Sequence, residues 1–176
     1  MFSRSITSIS RQSLRLTSLR ASVRFNSSVS HKITPGSIIT QYSSTAPQVR
    51  YTAEHEYIAQ HADNVSFIGI TKYAADALGD ATFVELPEVG DVFAKGDSIG
   101  SVESVKSSSE IYTPIDGEVI EVNTKLTDSP QLINEDPLGE GWIAKIKAEV
   151  KVEEVEDLMT EETYEMSLQD EDADGH

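Results

Sequence analysis

The sequence predicts a β-rich domain of the α+β class, a sandwich or barrel of short antiparallel strands with a few helices at its margins. Three observations carry this. Turn-forming residues recur at short intervals: Pro87 with Gly90, Lys95-Gly96-Asp97, Pro114 with Asp116-Gly117, Ser129-Pro130, and Pro137 through Gly141. The runs between them have strand length: Val65 to Ile70, Thr82 to Leu86, Ile99 to Val105, Glu118 to Val122 and Trp142 to Lys147. Strands this short and this closely spaced close on themselves, whereas βαβ units place long helical stretches between strands. Finally, Thr82, Val84 and Leu86 share one face of their run with Phe83 and Glu85 opposite, the alternation of a sheet buried on one side.

Two helical signals interrupt the strands. Thr71 can cap a short helix from Lys72 to Leu78, with Tyr73, Ala74, Ala77 and Leu78 on one side and Gly79 as its stop. Near the C-terminus Val152, Val155, Leu158 and Met159 fall on one arc, which predicts a helix lying on the sheet. Thr160 with Glu161 and Glu162 reads as a second helix start, since acids suit the positive end of a helix. Residues 169–176 are acidic and are expected to form a flexible tail.

The N-terminal portion differs in kind. From Met1 to Ala53 there are seven basic residues and no acidic one, while from Glu54 to His176 seven lysines face thirty acids, a net charge of −23. Residues 1–47 are rich in Arg and Ser, and Phe2, Ile6, Ile9 and Leu16 lie opposite Arg4, Arg11 and Arg15 on a helical wheel. This composition is that of a disordered mitochondrial transit peptide, with the mature start between Ser28 and Gln48. The expected organisation is therefore a leader over 1–47, a domain over 48–168 and the tail.

Composition excludes several functions. A body this acidic is a poor partner for nucleic acid or an anionic membrane surface, and no apolar run approaches the roughly 18 residues of a membrane span. Cysteine is absent, so disulfides, thiolate metal sites and a cysteine nucleophile are excluded, and any sulfur chemistry must arrive on a cofactor. His55 and Glu56 suggest a zinc helix only superficially, because Ala59 stands where the second histidine is needed and His61 falls on another face. No Gly-x-Ser-x-Gly and no phosphate-binding loop is present. The inventory is not that of a self-sufficient enzyme.

Lys106 stands apart. It is the only basic residue between Lys95 and Lys125, and it falls between Ile99 to Val105 and the strand-like run Glu110 to Pro114. Ser107, Ser108 and Ser109 would let a tight hairpin close around it and leave its amine within reach of a modifying enzyme.

The run GSVESVKSSSEIYTPIDGEVIEVN, preceded by GITKYAADALGDATFVELPEVGD and followed by NEDPLGEGWIAKIK, closely resembles the H-protein family of the glycine cleavage system. The resemblance spans about Val49 to Tyr164. A biotin carrier would flank the lysine with methionines, where this chain has Val105 and Ser107. Acyltransferase lipoyl domains carry Asp-Lys-Ala at the turn and lack the ELPEVGD and NEDPLGEGW blocks. The resemblance implies a barrel-sandwich hybrid of two antiparallel sheets, with lipoate joined to Lys106 as an amide and Glu103 and Gly117 read by lipoyl-attaching enzymes. It implies a non-catalytic carrier in the mitochondrial matrix. That carrier would take an aminomethyl group from glycine decarboxylase to a tetrahydrofolate-dependent aminomethyltransferase, with dihydrolipoamide dehydrogenase reoxidising the dithiol. It implies further that Glu56 and Glu110 contact the loaded arm. A second role, lipoyl donor in a relay to other enzymes, stays open at this point. The chain departs from many relatives at Glu54, where they have serine, at Tyr57, where they have tryptophan, and at Ala77, where they have histidine.

Overall fold

The computed structural model describes residues 29–174. Among these residues nine strands form two antiparallel sheets: β1 (Gln48–Tyr51), β2 (Glu56–Gln60), β3 (Val65–Ile70), β4 (Ala81–Glu85), β5 (Val92–Phe93), β6 (Ser98–Ser104), β7 (Ser108–Tyr112), β8 (Gly117–Val122) and β9 (Ala144–Ala148). The larger sheet has the order β1-β2-β3-β9-β8-β5 and the smaller β4-β6-β7. Helices α1 (Ile38–Gln41), α2 (Lys72–Leu78), α3 (Lys125–Asp128), α4 (Leu132–Glu135) and α5 (Glu161–Asp174) surround them. No helix among the described residues is long and apolar enough to cross a membrane.

The pleat of β2 and β3 divides the interior in two. Ile58 and Ile68 point inward and pack with Val84, Val102 and Ile111 of the small sheet and with Ala75 and Leu78 of α2. Tyr57, Ala59 and Phe67 point the other way, into a second cluster with Ile39, Tyr51, Trp142, Tyr164 and Leu168. Side chains alternate across a strand, so one sheet serves two cores. This also explains why β2 was absent from the expected strands. Both of its faces are buried, as in β3, but its ends are the polar Glu56 and Gln60, so it offers neither alternation nor the apolar run that marks β3.

Helix α2 forms over the expected span, with the Thr71 hydroxyl accepting from the Ala74 amide and Gly79 ending it at φ +83°. Four expectations need correction. Thr82 is exposed and does not share the buried face of Val84, because the β4–β6 register shifts between Ala81 and Phe83. Only Val152–Glu154 is helical in the expected Val152 to Met159 helix, as one 3₁₀ turn. Beyond it the backbone pairs with β1, the Tyr51 and Met159 amides donating to each other's carbonyls at 2.9 and 2.8 Å. The tail does not begin at Gln169, since α5 continues to Asp174, anchored by buried Tyr164 and Leu168 one turn apart.

The fourth concerns the leader. Its residues 1–28 lie outside the described residues, but residues 29–47 are folded against the domain. Ile39 is fully buried in the aromatic core, the Thr34 amide donates to the Leu138 carbonyl at 3.0 Å, and the Tyr51 hydroxyl donates to the His31 carbonyl. Ile39 thus packs as part of the folded body.

Candidate functional site

The β6–β7 ladder closes at Glu103 opposite Ser108, leaving Ser104 to Ser107 as the tip. The Ser104 amide donates to the Ser107 carbonyl at 2.8 Å, and the Lys106 and Ser107 amides both donate to the Ser104 hydroxyl, at 3.3 and 3.1 Å. That hydroxyl in turn donates to the Leu78 carbonyl at the end of α2, at 2.8 Å. Val105 is 91% exposed, and Lys106 is exposed beside it. Among the described residues the Lys106 amine makes no ion pair, unlike Lys72, Lys95, Lys125 and Lys145. The lysine stem lies across Gly79, where a Cβ would stand 2.8 Å from Lys106 Cε. The Lys106 amine is therefore accessible, and position 79 favours glycine for its positive φ, whereas a Cβ there would displace only the flexible end of the lysine.

A cleft of about 210 Å³ opens beside the tip, walled by Glu54, His55 and Glu56, by Ala77 and Leu78 of α2, and by Ser107 and Glu110 of the hairpin. Glu56 points inward from β2 and is only 2% exposed. Its carboxylate accepts from the Tyr112 amide at 3.2 Å and from the Thr52 hydroxyl. Burial pushes its carboxyl above the usual range, and these two hydrogen bonds partly offset that. β7 is an edge strand, so the Tyr112 amide needs a partner outside the sheet, and Glu56 supplies it. Glu110 is exposed on β7 and accepts from the Tyr112 hydroxyl at 3.1 Å, which raises the phenol above its ordinary value. Tyr112 thus holds both carboxylates, one by its backbone and one by its side chain.

The structure brings Lys106, Glu103 and Glu110 together on one hairpin and Glu56 to the cleft beside it. Gly117 lies elsewhere, buried at the start of β8 in the larger sheet. The Asp116-Gly117 turn does not need a positive φ, since the positive-φ glycines among the described residues are Gly36, Gly79, Gly90 and Gly96. What excludes a side chain at Gly117 is the Lys147 carbonyl, 2.6 Å from where a Cβ would be. At Ala77 a methyl group faces the cleft, and the imidazole on the cleft wall belongs to His55. His55 has φ +72°, and its Nδ1 lies 2.9 Å from the Tyr164 hydroxyl, which is 2.8 Å from the Thr71 hydroxyl. The sequence shows no sign of the roles of Ser104 and Tyr112, marks Gly79 only as a helix stop, and offers His55 only as a failed zinc ligand. Ser104 and Gly79 each stood inside a motif already read, but their partners are far away in the chain and left no local signal. Among the described residues no three His, Asp or Glu side chains gather where they could hold a metal ion.

Comparison with known proteins follows the same residues. The profile of the glycine cleavage H-protein family matches residues 49–171. The mitochondrial glycine cleavage system H protein of Saccharomyces cerevisiae is 61% identical over 130 residues, covering 72% of this chain and 76% of that protein. The glycine cleavage system H protein of Alteromonas mediterranea is 49% identical over 129 residues, 73% of this chain and 99% of its own length. A crystal structure of a glycine cleavage system H protein from Mycobacterium marinum superposes with a TM-score of 0.63 at 38% identity, covering 71% of this chain and 99% of that one.

Proposed function

The chain belongs to the glycine cleavage H-protein family, whose members carry lipoate between the glycine cleavage enzymes, and from that premise we propose that Lys106 carries the lipoyl group and that the adjoining cleft shelters its cargo. The single observation carrying this is the accessible Lys106 amine at a hairpin tip, beside a cleft with two held carboxylates. When bound as an amide, lipoate supplies the sulfur chemistry that a chain without cysteine lacks, accepting an aminomethyl group and cycling between disulfide and dithiol.

The chain's own residues present, hold and exclude. The hairpin presents the amine to an attaching enzyme, with Glu103 exposed on the same strand as a recognition point. Glu56 and Glu110 offer charge-assisted acceptors to a primary ammonium group. Ile70, Ala74, Ala77 and Leu78 line the remainder with apolar surface that excludes water, which would release the carried carbon as formaldehyde. No residue here performs a chemical step, so the protein acts as a non-catalytic subunit. Its partners are glycine decarboxylase, the aminomethyltransferase, dihydrolipoamide dehydrogenase and lipoyl-attaching enzymes, toward which the acidic body can steer docking. The basic leader and the mitochondrial relative from yeast support the matrix as the site of action. The packing of His31 and Ile39 supports a mature start upstream of His31.

Intact mass of the protein isolated from mitochondria tests the assignment. The expected result is one lipoyl increment mapping to Lys106, absent from Lys106→Arg, whose stability stays within about 0.5 kcal/mol. A biotin increment, or lipoate on another lysine, would overturn it.

A further inference from the structure

We infer that Ser104 is a positioning residue, its hydroxyl latching the hairpin tip to the C-terminus of α2 so that the root of the arm is held over Gly79 beside the cleft. The inference rests on the reading of Lys106 as the lipoyl lysine. A helix leaves its last carbonyls without intrahelical partners. At α2 these are met piecewise. The Gly79 amide and the Asn134 side chain serve the Ala75 carbonyl, both at 3.2 Å, and Asn134 serves the Gly79 carbonyl at 2.8 Å. The Leu78 carbonyl is met by the hairpin, from Ser104 at 2.8 Å with Ser107 farther off at 3.5 Å.

Ser104 is suited to this because its hydroxyl oxygen already accepts from the amides of Lys106 and Ser107. Those two bonds orient the oxygen, and its one proton goes to Leu78, the shorter contact, rather than to the Ser107 carbonyl at 3.3 Å. Besides this hydroxyl, the Ser104 amide to Ser107 carbonyl bond at 2.8 Å and the longer Ser107 hydroxyl contact hold the tip. Val105 contributes no packing at 91% exposure, and the Lys106 amine has no ion pair among the described residues. One hydroxyl therefore both shapes the turn and sets where the lysine stem leaves it, across Gly79. A neutral hydrogen bond shifts an equilibrium by roughly five-fold.

The test uses the unmodified full chain by NMR, with Ser104→Ala and Ser104→Thr compared to the native protein. In Ser104→Ala the Lys106 and Ser107 amides should exchange roughly three- to ten-fold faster. The contact between Lys106 Hε and Gly79 Hα should fade, while core amides exchange as before. Ser104→Thr, which restores the hydroxyl, should recover both signals. On the lipoylated protein the same order should appear in how fast the loaded arm loses its carbon to water. Unchanged tip exchange and an unchanged Lys106–Gly79 contact in Ser104→Ala would overturn the latch. So would a Ser104→Thr variant that behaves like alanine. A native protein without lipoate on Lys106 would overturn the carrier reading instead, a result read from mass alone.

Discussion

Glu56 and Tyr57 are neighbours on β2, yet they work on opposite sides of one sheet. Glu56 faces inward to the cleft, is fixed by Thr52 and Tyr112, and lies beside an exposed, serine-rich hairpin. Tyr57 faces outward, fully buried, with its hydroxyl donating to the Pro137 carbonyl at 2.9 Å and its ring pressed over Gly69. Around Tyr57 the outer side is rich in aromatic rings: Tyr51 and Tyr164 stack at 4.8 Å and 7°, and Phe67 meets Trp142 edge to face at 5.4 Å. The difference teaches that adjacent residues of one pleated strand serve a cleft on one side and a separate, aromatic-rich core on the other. The aromatic side clamps α1, α5 and the sheet into one body. The cleft side has its own core, in which Ile58 and Ile68 pack with Val84, Val102, Ala75 and Leu78.

The sharpest way to break this comparison is Tyr164→Ala. Removing a fully buried ring that also bonds Thr71 and His55 should cost about 3–5 kcal/mol in chemical unfolding. Lipoylation of the fraction still folded should be normal. A folded variant that fails to be lipoylated would make the outer side part of the attachment surface. Next in size is Gly117→Val, where overpacking against the Lys147 carbonyl should cost about 1–3 kcal/mol. The unfolding midpoint and lipoylation extent, measured on one preparation, should diverge. Impaired lipoylation at native stability would show that Gly117 is read by the attaching enzyme despite lying in the other sheet.

Glu110→Gln belongs to the opposite class. Exposed on an edge strand, it should change stability by less than about 0.5 kcal/mol. It should weaken the hold on a loaded amine by about 1–2 kcal/mol, so that formaldehyde release quickens several-fold while lipoylation and reoxidation stay normal. Equal decay of the loaded form in both proteins would make Glu110 a solvated surface carboxylate.

The two sides should also respond to acid with opposite signs. His31, packed edge-on against Tyr164, is held below its ordinary 6.5 chiefly by burial. Its contribution is complete above pH 6.5 and is lost as pH falls through the lowered folded value. Glu56 is held above its ordinary 4.5 by burial, so its cost is present at neutral pH and is relieved as pH falls through the raised value. His31→Gln should therefore flatten the loss of stability below pH 6.5, and Glu56→Gln should abolish the compensating gain at lower pH. Each slope is bounded by about 1.4 kcal/mol per pH unit for one proton. Unfolding free energies at four or five pH values would check both signs.

Much of this protein was legible without coordinates because its signals are local. Thr71 and Gly79 bracket α2 by capping chemistry, the turn residues separate strands, and Lys106 between two strand-like runs marks the hairpin. The acidic body, the absent cysteine and the motif around Lys106 together point to a carrier whose chemistry is borrowed. What escaped was whatever depends on a partner distant in sequence. β2 was hidden because its buried ends are Glu56 and Gln60, whose partners Tyr112, Val150 and Val152 lie far along the chain, so it lacks the apolar run that marks the equally buried β3. The helix expected at Val152 to Met159 gave way because β1 offered its backbone a pairing that periodicity cannot anticipate. Residues 29–47 read as leader by composition, yet a pocket lined by Tyr51, Tyr57 and Phe67 takes up Ile39. Local sequence thus determined the turns, the caps and the hairpin tip that bears Lys106, since each rests on backbone preferences of a few adjacent residues. Only tertiary structure could join Ser104 to Leu78, or Glu56 to Tyr112, because a hydrogen bond is decided by proximity in space, and the chain separates those partners by 26 and 56 residues.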